Sequence, residues 1–296
     1  MKHINLPNTN ITISQLSLGC MSFHTESKGR PIIEAALDLG INFFDTADLY
    51  DKAENEKILA KVLAQKRKDV IIATKVGNRW RNDGKGWDWV PRKKYILKAV
   101  EASLSRLNTD YIDLYQLHGG TIDDPLEEVI EAFELLKEQG KIRAYGISSI
   151  RPNTIRKWTI LGGGVSCMSQ YSLLDRRPEE FVLDYLQDSG QKMLVRGALA
   201  KGLLAGKTPK SYGSWSIEEV AQIQTRLQGF SETMSVSALA LHFVLSHPAV
   251  GSVVLGASNV QQLKESVTAY EHTVLTTDGW HELSKMIGSK LYEKHR

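Results

Sequence analysis

Four side chains suited to acid–base chemistry follow short apolar segments in the first half of the chain. Asp45 and Tyr50 lie in FFDTADLY, Lys75 follows IIAT, and His118 follows LYQL and precedes two glycines. A phenol ordinarily has a pKa of about 10, and a neighbouring ammonium favours its ionised form. An aspartate would keep that ammonium charged, and an imidazole would orient a substrate carbonyl. Such a group suits protonation of an alkoxide while hydride reaches a carbonyl carbon.

Taken singly, each of these residues has an ordinary structural explanation. Asp45 is a favoured turn residue, Tyr50 suits aromatic packing, Lys75 suits a solvated strand end, and a lone histidine such as His118 is more often structural. Their succession after consecutive apolar segments favours chemistry instead. The sequence shows no nucleophile with a partner base and no metal-ligand spacing, which argues against acyl transfer and metal-assisted hydrolysis.

Short apolar runs alternate with helical patterns along the whole chain. Helices are predicted over 31–39, 54–65, 94–107 and 125–139 from their apolar periodicity and from proline and glycine at their ends. The runs read as buried strands because they are short, apolar and bounded by glycine or polar residues. These predicted strands are 16–18, 41–44, 70–73, 111–117, 142–147, 165–168, 193–195 and 252–255.

Eight such strands with helical crossovers require a parallel sheet. An open doubly wound sheet is the competing architecture, but no glycine-rich dinucleotide fingerprint follows the first strand. The count of eight favours an α/β (β/α)8 barrel, the TIM barrel, with extra helices. The preceding segment alternates around Asn8-Thr9-Asn10, which predicts an N-terminal β-hairpin closing the barrel bottom. No linker divides the chain, so we expect one domain over 1–296.

Two long loops follow predicted strands at the ends where barrel active sites lie. Residues 78–91 carry Trp80, Trp87 and Trp89, and residues 206–215 lead into an additional helix. The tryptophans either line an apolar substrate pocket or clasp their loop onto the barrel. Both interpretations stay open from the sequence.

Several segments together resemble the aldo-keto reductase family over essentially the whole chain. They are GINFFDTA at 40–47 with Tyr50, IATK at 72–75, SLSRL at 103–107, DYIDLYQLH at 110–118, GKIRAYGIS at 140–148 and GLLAG at 202–206. The resemblance implies that Asp45, Tyr50, Lys75 and His118 form the catalytic tetrad, with Tyr50 as proton donor. It also implies a nicotinamide cofactor extended across the barrel mouth.

The same resemblance implies which residues contact that cofactor. Ser148 and Gln170 would hold the nicotinamide carboxamide, and residues 256–262 would bind the adenosine phosphate end, where a helix N-terminus suits an anion. Asn259 and Gln262 also have capping-box spacing, which is a compatible structural role. The complete expected set is Ser148, Ser149, Gln170, Arg196, Gly197, Leu199, Gly256, Ser258 and Gln262.

Three positions depart from the family pattern. Ser149 stands where asparagine is usual, and Arg196 stands where an aromatic ring commonly stacks on the nicotinamide. A guanidinium is planar and can stack, and its charge would disfavour the oxidised ring. Ser258 and Gln262 stand where arginine often clamps a 2′-phosphate, which weakens the case for NADP. The positive charge of the missing arginine could be supplied by Lys207, Lys210 or Lys264. NADPH is therefore the expected cofactor, and NAD stays open.

Composition narrows the setting in which such an enzyme would act. The net charge is +3, and the lysines and arginines are scattered among aspartates and glutamates, which argues against binding of nucleic acid. No apolar run indicates a membrane span or a signal peptide. Two distant cysteines, Cys20 and Cys167, indicate a reduced, cytoplasmic protein. The partner expected from the four-residue group and the resemblance is a small-molecule carbonyl substrate. The oligomeric state is not indicated.

Two other functions are compatible with parts of this pattern. A redox-sensing or regulatory subunit would hold the nicotinamide cofactor and turn over slowly, and the four-residue group argues against it without excluding it. An isomerase or lyase barrel would need a glycine-rich phosphate loop after a late strand, and residues 257–259 are too sparse in glycine for one.

Overall fold

A closed barrel of parallel strands forms the centre of the computed structural model, which describes residues 1–230, 232–271 and 275–296. Eight strands follow one another around it in chain order, and the last of them, β12 (Val250–Gly256), pairs with the first, β3 (Leu16–Gly19). The (β/α)8 barrel predicted from the sequence is therefore confirmed. The strand bounds are β1 (His3–Asn5), β2 (Thr12–Ser14), β3 (Leu16–Gly19), β4 (Phe43–Asp45), β5 (Ile71–Val76), β6 (Asn78–Trp80), β7 (Trp87–Trp89), β8 (Ile112–Leu117), β9 (Ile142–Ser148), β10 (Ser166–Gln170), β11 (Lys192–Arg196) and β12 (Val250–Gly256).

Helices cover the outer face of the barrel, so the strands are buried on both sides, as parallel sheets require. Their bounds are α1 (Glu26–Asp38), α2 (Glu54–Leu63), α3 (Lys93–Leu107), α4 (Leu126–Glu138), α5 (Pro152–Ile160), α6 (Val182–Asp188), α7 (Ile217–Phe230), α8 (Val236–Leu245), α9 (Val260–Glu271) and α10 (Thr277–Ile287).

The predicted start of the first helix at Pro31 is wrong, because Pro31 lies inside α1. The backbone N–H of Gly29 already bonds to the carbonyl of Thr25, and Arg30 pairs with Glu26 and Glu34 one turn away on either side. These (i, i+4) contacts stabilise the turn before the proline. Proline therefore did not mark the helix N-terminus here.

The N-terminal hairpin closes the barrel at the end where its strands begin. Strands β1 and β2 pair antiparallel, and Leu6 N–H donates to the Ile11 carbonyl across the turn at 2.8 Å. Leu6, Ile11 and Ile13 are buried against residues inside the barrel, including Phe43 and Leu194. The predicted plug is confirmed, and the opposite rim is the open one.

The long loop after β5 contains secondary structure that the sequence did not predict. Strands β6 and β7 form an antiparallel hairpin in which Trp80 pairs with Trp87 and Asn78 pairs with Trp89. Because paired residues alternate between the two faces of a hairpin, the three tryptophans share one face. Arg79 and Asp88 pair on the other face.

Candidate active site

A fully buried lysine lies at the centre of the group expected to do the chemistry. Lys75, on the inner side of β5, donates hydrogen bonds from Nζ to Asp45 Oδ2 at 2.6 Å, the Thr46 carbonyl at 2.7 Å and Tyr50 Oη at 3.2 Å. An ammonium has three N–H donors, so each one has a partner. A buried charge requires such pairing. Asp45, Tyr50 and Lys75 therefore meet as expected.

His118 follows β8 and completes this cluster. Its ring lies edge-on to the Tyr50 ring, with centroids 5.7 Å apart and planes at 84°. Its backbone is fixed on both sides, because its N–H donates to the Val76 carbonyl at 2.7 Å and its carbonyl accepts from Asn78 Nδ2 at 3.1 Å. The four expected side chains thus lie together at the open rim.

The site controls the charge of its members. Burial lowers the pKa of His118 to about 3, and the cations of Lys75 and Arg196 act in the same direction. The imidazole is therefore neutral at neutral pH. Burial raises the pKa of Asp45 against the opposing effect of Lys75. Burial alone would lower the pKa of Lys75, but Asp45 and Tyr50 outweigh it, so that pKa lies above its ordinary value.

Two residues of the site were missed from the sequence. Gln116 lies two positions before His118 on the inward face of β8, and its Nε2 donates to Asp45 Oδ1 at 3.4 Å. A buried glutamine among inward apolar residues was a usable signal for it. Tyr212, in the loop after β11, accepts from Gln170 Nε2 at 2.9 Å, and no sequence pattern marked it.

The residues expected to hold a nicotinamide lie at the ends of three neighbouring strands. Ser148, Gln170 and Arg196 are the last residues of β9, β10 and β11, and Arg196 Nη1 donates to Gln170 Oε1 at 3.1 Å. Gly197 has φ of 75°, and a Cβ there would lie 3.4 Å from Gln170 Cγ. Leu199 precedes the 3₁₀ segment Ala200–Ala205.

Ser149 is buried, and its hydroxyl accepts from the Arg151 backbone N–H at 3.2 Å. This contact uses the hydroxyl to begin the turn into α5 (Pro152–Ile160). Ser149 lies at the same rim as Ser148, but its side chain already has a structural partner.

The segment expected at the adenosine end begins α9. Gln262 N–H donates to Asn259 Oδ1 at 2.9 Å, and Ser258 N–H donates to Gln262 Oε1 at 3.0 Å. The predicted capping arrangement is present, with Ser258 rather than Asn259 supplying the second N–H. Gly256 ends β12 directly before it, and Lys264 is exposed on the helix.

The three tryptophans of the hairpin have different surroundings. Trp89 Nε1 donates to both carboxylate oxygens of Asp124 at 3.0 Å, and its ring packs on Gly77 and Gly119, where an added Cβ would come within 2.5 Å and 3.4 Å. These contacts clasp the hairpin to the barrel. Trp87 is 46% exposed and Trp80 is half-buried.

A model of the aldo/keto reductase family matches residues 15–287. The chain belongs to the aldo/keto reductase family. The uncharacterized oxidoreductase YqkF of Bacillus subtilis (strain 168) is 44% identical over 306 residues, covering 100% of both chains. The holo form of aldo-keto reductase AKR11C1 from Bacillus halodurans matches with a TM-score of 0.96 at 46% identity, covering 100% of this chain and 99% of that one. The NADH-specific methylglyoxal reductase of Escherichia coli (strain K12) is 29% identical, covering 91% of this chain and 93% of that protein.

As an aldo/keto reductase, the protein is an NAD(P)H-dependent oxidoreductase of small carbonyl compounds. The mouth fits a nicotinamide cofactor, because buried polar atoms there, His118 Nδ1 and Gln116 Oε1, lack hydrogen-bond partners among the described residues. Within those residues, no group of three or more acidic, histidine or cysteine side chains is arranged to hold a metal ion. Nor is any helix there long and apolar enough to cross a bilayer.

Proposed function

We propose that this protein reduces aldehydes or ketones to alcohols with NADPH, and that Tyr50 is the proton donor. The observation that carries the proposal is the 3.2 Å hydrogen bond from Lys75 Nζ to Tyr50 Oη, with Asp45 on the same ammonium at 2.6 Å. A phenol bonded to a buried cation can release a proton because the phenolate left behind is stabilised.

The proposed roles follow from these contacts. The nicotinamide cofactor supplies the hydride when bound. Tyr50 Oη transfers its proton to the carbonyl oxygen of the substrate, and Lys75 Nζ stabilises the resulting phenolate. Asp45 keeps Lys75 charged within the barrel, while neutral His118 donates a ring N–H to orient the substrate oxygen.

The cofactor would be held by residues along the rim. Ser148 and Gln170 would bind the carboxamide, Arg196 would stack on the nicotinamide ring, and the N-terminus of α9 with Ser258 and Gln262 would bind the adenosine phosphate end. Trp87 and Trp89 would border the substrate side, whereas Trp80 lines a cavity that none of the four tetrad residues lines. The two cysteines are free and buried, which supports the proposal that the enzyme acts in the cytoplasm.

The preference for NADPH over NADH is the finer part of this proposal. The exposed Lys207, Lys210 and Lys264 supply positive charge that a 2′-phosphate would favour, whereas Ser258 and Gln262 supply none. One relative is named for NADH, so the assay uses a panel of aldehydes and ketones with both cofactors in parallel. Faster reduction with NADH at equal concentration would overturn the NADPH preference.

The variant Tyr50→Phe tests whether Tyr50 is the proton donor. Stopped-flow absorbance would follow oxidation of bound NADPH after an aldehyde is added. We expect loss of activity by about 10²-fold or more, as for removal of a general acid, with cofactor affinity nearly unchanged. Tyr185→Phe, on α6 and stacked on Phe181, is the matched control. Near-normal turnover in Tyr50→Phe would overturn the acid assignment. Slow oxidation in the unmodified protein with every substrate would favour the regulatory subunit instead.

A further inference from the structure

A second cavity lies outside the barrel, behind the loop that carries Tyr50. It has a volume of about 640 Å³ and is bordered by that loop, the β6–β7 hairpin and α3. None of the four tetrad residues and none of the expected cofactor residues lines it. Small side chains on α3, Ala99 and Ala102, make room for it.

The walls of this α3 cavity carry a large excess of positive charge. Asp48 is the one acidic residue in its lining, whereas the basic residues are Lys52, Arg79, Arg92, Lys94, Lys98 and Arg106. The arginines are already paired, with Asp88, Glu128 and Glu56 respectively.

Two of the lysines are available to a ligand. Lys94 and Lys98 are exposed and lie one helical turn apart on α3, so their side chains share a face. Within the described residues, neither has an ion-pair partner at the cavity. Two adjacent ammonium groups without a carboxylate favour an anion.

Two residues in the lining of the cavity carry buried polar atoms that the protein leaves unsatisfied. Asp48 is 7% exposed, and its Oδ1 has no hydrogen-bond partner in the part of the chain that the structure describes. The same holds for the indole Nε1 of half-buried Trp80. Buried polar groups normally have partners, and both residues line the cavity, so an unsatisfied acceptor and an unsatisfied donor there suit a hydroxyl-bearing ligand.

Burial weakens the opposition of Asp48 to an anion at this place. Burial raises the pKa of Asp48 well above its ordinary value, and the nearby carboxylate of Glu56 raises it further, against the cations of Arg106 and Lys75. The side chain can therefore hold a proton and donate as well as accept a hydrogen bond.

We propose that the α3 cavity binds a small hydroxylated organic anion. Its phosphate or carboxylate group lies between Lys94 and Lys98, and a hydroxyl reaches Asp48 and Trp80 Nε1. This site is separate from the carbonyl-reducing centre and does not depend on the function proposed for it.

Isothermal titration calorimetry of the full chain at low salt tests the proposal, with sn-glycerol 3-phosphate as probe and glycerate, inorganic phosphate and glycerol as comparisons. Saturating NADPH is present so that phosphate does not occupy the cofactor site. We expect saturable binding of glycerol 3-phosphate or glycerate, weaker binding of inorganic phosphate, and none of glycerol.

Variants locate the binding. Lys94→Gln with Lys98→Gln should weaken it by about tenfold or more, because two charge-assisted contacts are lost. Trp80→Phe should reduce the difference in affinity between glycerol 3-phosphate and inorganic phosphate. Lys285→Gln, an exposed lysine on α10, is the control and should bind as the unmodified protein does.

Three results would overturn the proposal: no saturable binding of either organic anion, binding that the double lysine variant leaves unchanged, or equal affinity for inorganic phosphate and glycerol 3-phosphate. Each can be read whether or not the protein reduces carbonyl compounds, because heat of binding is measured rather than turnover.

Discussion

Tyr212 fixes the orientation of the Gln170 side-chain amide by accepting a hydrogen bond from its Nε2 at 2.9 Å. With Nε2 occupied, Oε1 is the atom left to accept from Arg196 Nη1 at 3.1 Å. A residue in the long loop after β11 thus sets which end of an amide on β10 faces the guanidinium. This hydroxyl couples the loop to the rim.

Tyr212→Phe should therefore weaken binding of NADPH while changing turnover less. Loss of one hydrogen bond to a buried tyrosine contributes about 1 kcal/mol, or about fivefold in the dissociation constant. Quenching of tryptophan fluorescence by NADPH measures that constant, and kcat is measured beside it. Equal affinity for NADPH in Tyr212→Phe and in the Tyr185→Phe control would show that the orientation of the Gln170 amide does not depend on Tyr212.

Lys75→Met should abolish reduction and also destabilise the fold. The variant leaves Asp45 buried with Gln116 as its remaining side-chain contact, and removing one partner of a buried pair costs about 3–5 kcal/mol. Urea unfolding measures the free energy. Since burial already raises the pKa of Asp45, the deficit should shrink as pH falls and this carboxylate takes up a proton.

Lys75→Met combined with Asp45→Asn is the matched control for that experiment. The double variant lacks the uncompensated carboxylate, so it should recover much of the stability and none of the activity. Recovered activity would remove Lys75 from the mechanism. A double variant as unstable as the single one would show that lost packing, not charge, is responsible.

His118 should make the protein less stable in acid. Its pKa falls from 6.5 to about 3 on folding, so the fold favours the neutral ring. This contribution is complete above pH 6.5 and is lost as pH falls from there toward 3, by at most about 1.4 kcal/mol per pH unit. Urea unfolding between pH 7 and pH 4 would show a shallower decline in His118→Asn. The exposed His3→Gln should follow the unmodified curve, and parallel curves for all three proteins would contradict the assignment.

Arg196→Leu should reduce the preference for reduced over oxidised cofactor. A positive charge stacked on the oxidised, cationic ring is unfavourable, and at an exposed site this amounts to about 1 kcal/mol, or roughly fivefold in the ratio of dissociation constants. Both constants are measured by titration. Arg196→Lys keeps the charge and should keep most of the ratio, whereas an unchanged ratio in Arg196→Leu would discard the hypothesis.

Much of the barrel could be predicted because its determinants are local. Apolar runs such as 142–147 lie within the observed strand Ile142–Ser148, and the polar residue after each run reaches the same rim because all barrel strands are parallel. The β6–β7 hairpin was missed because Asn78–Trp80 and Trp87–Trp89 are each only three residues long. Too few positions alternate in them for a strand pattern to be recognised.

Contacts between distant residues account for the rest of what the sequence did not predict. Tyr212 and Gln170 are separated by 42 positions, and their hydrogen bond depends on how the loop folds back. Asp48 lies within the same motif as Asp45 and Tyr50, yet it lines the α3 cavity on the other side of that loop. Residue type alone does not show whether a residue of this loop joins the tetrad or lines the α3 cavity.

The loop that carries Tyr50 has one further property. Asp51, Lys52 and Ala53 follow the phenol with φ of 49°, 52° and 69°, a left-handed run that costs non-glycine residues about 1–2 kcal/mol each. The conformation persists because surrounding packing imposes it. When that packing loosens, we expect this turn to relax before the barrel strands separate, because relaxation removes the cost of its left-handed backbone. In a gradual denaturant series, inactivation should therefore precede global unfolding.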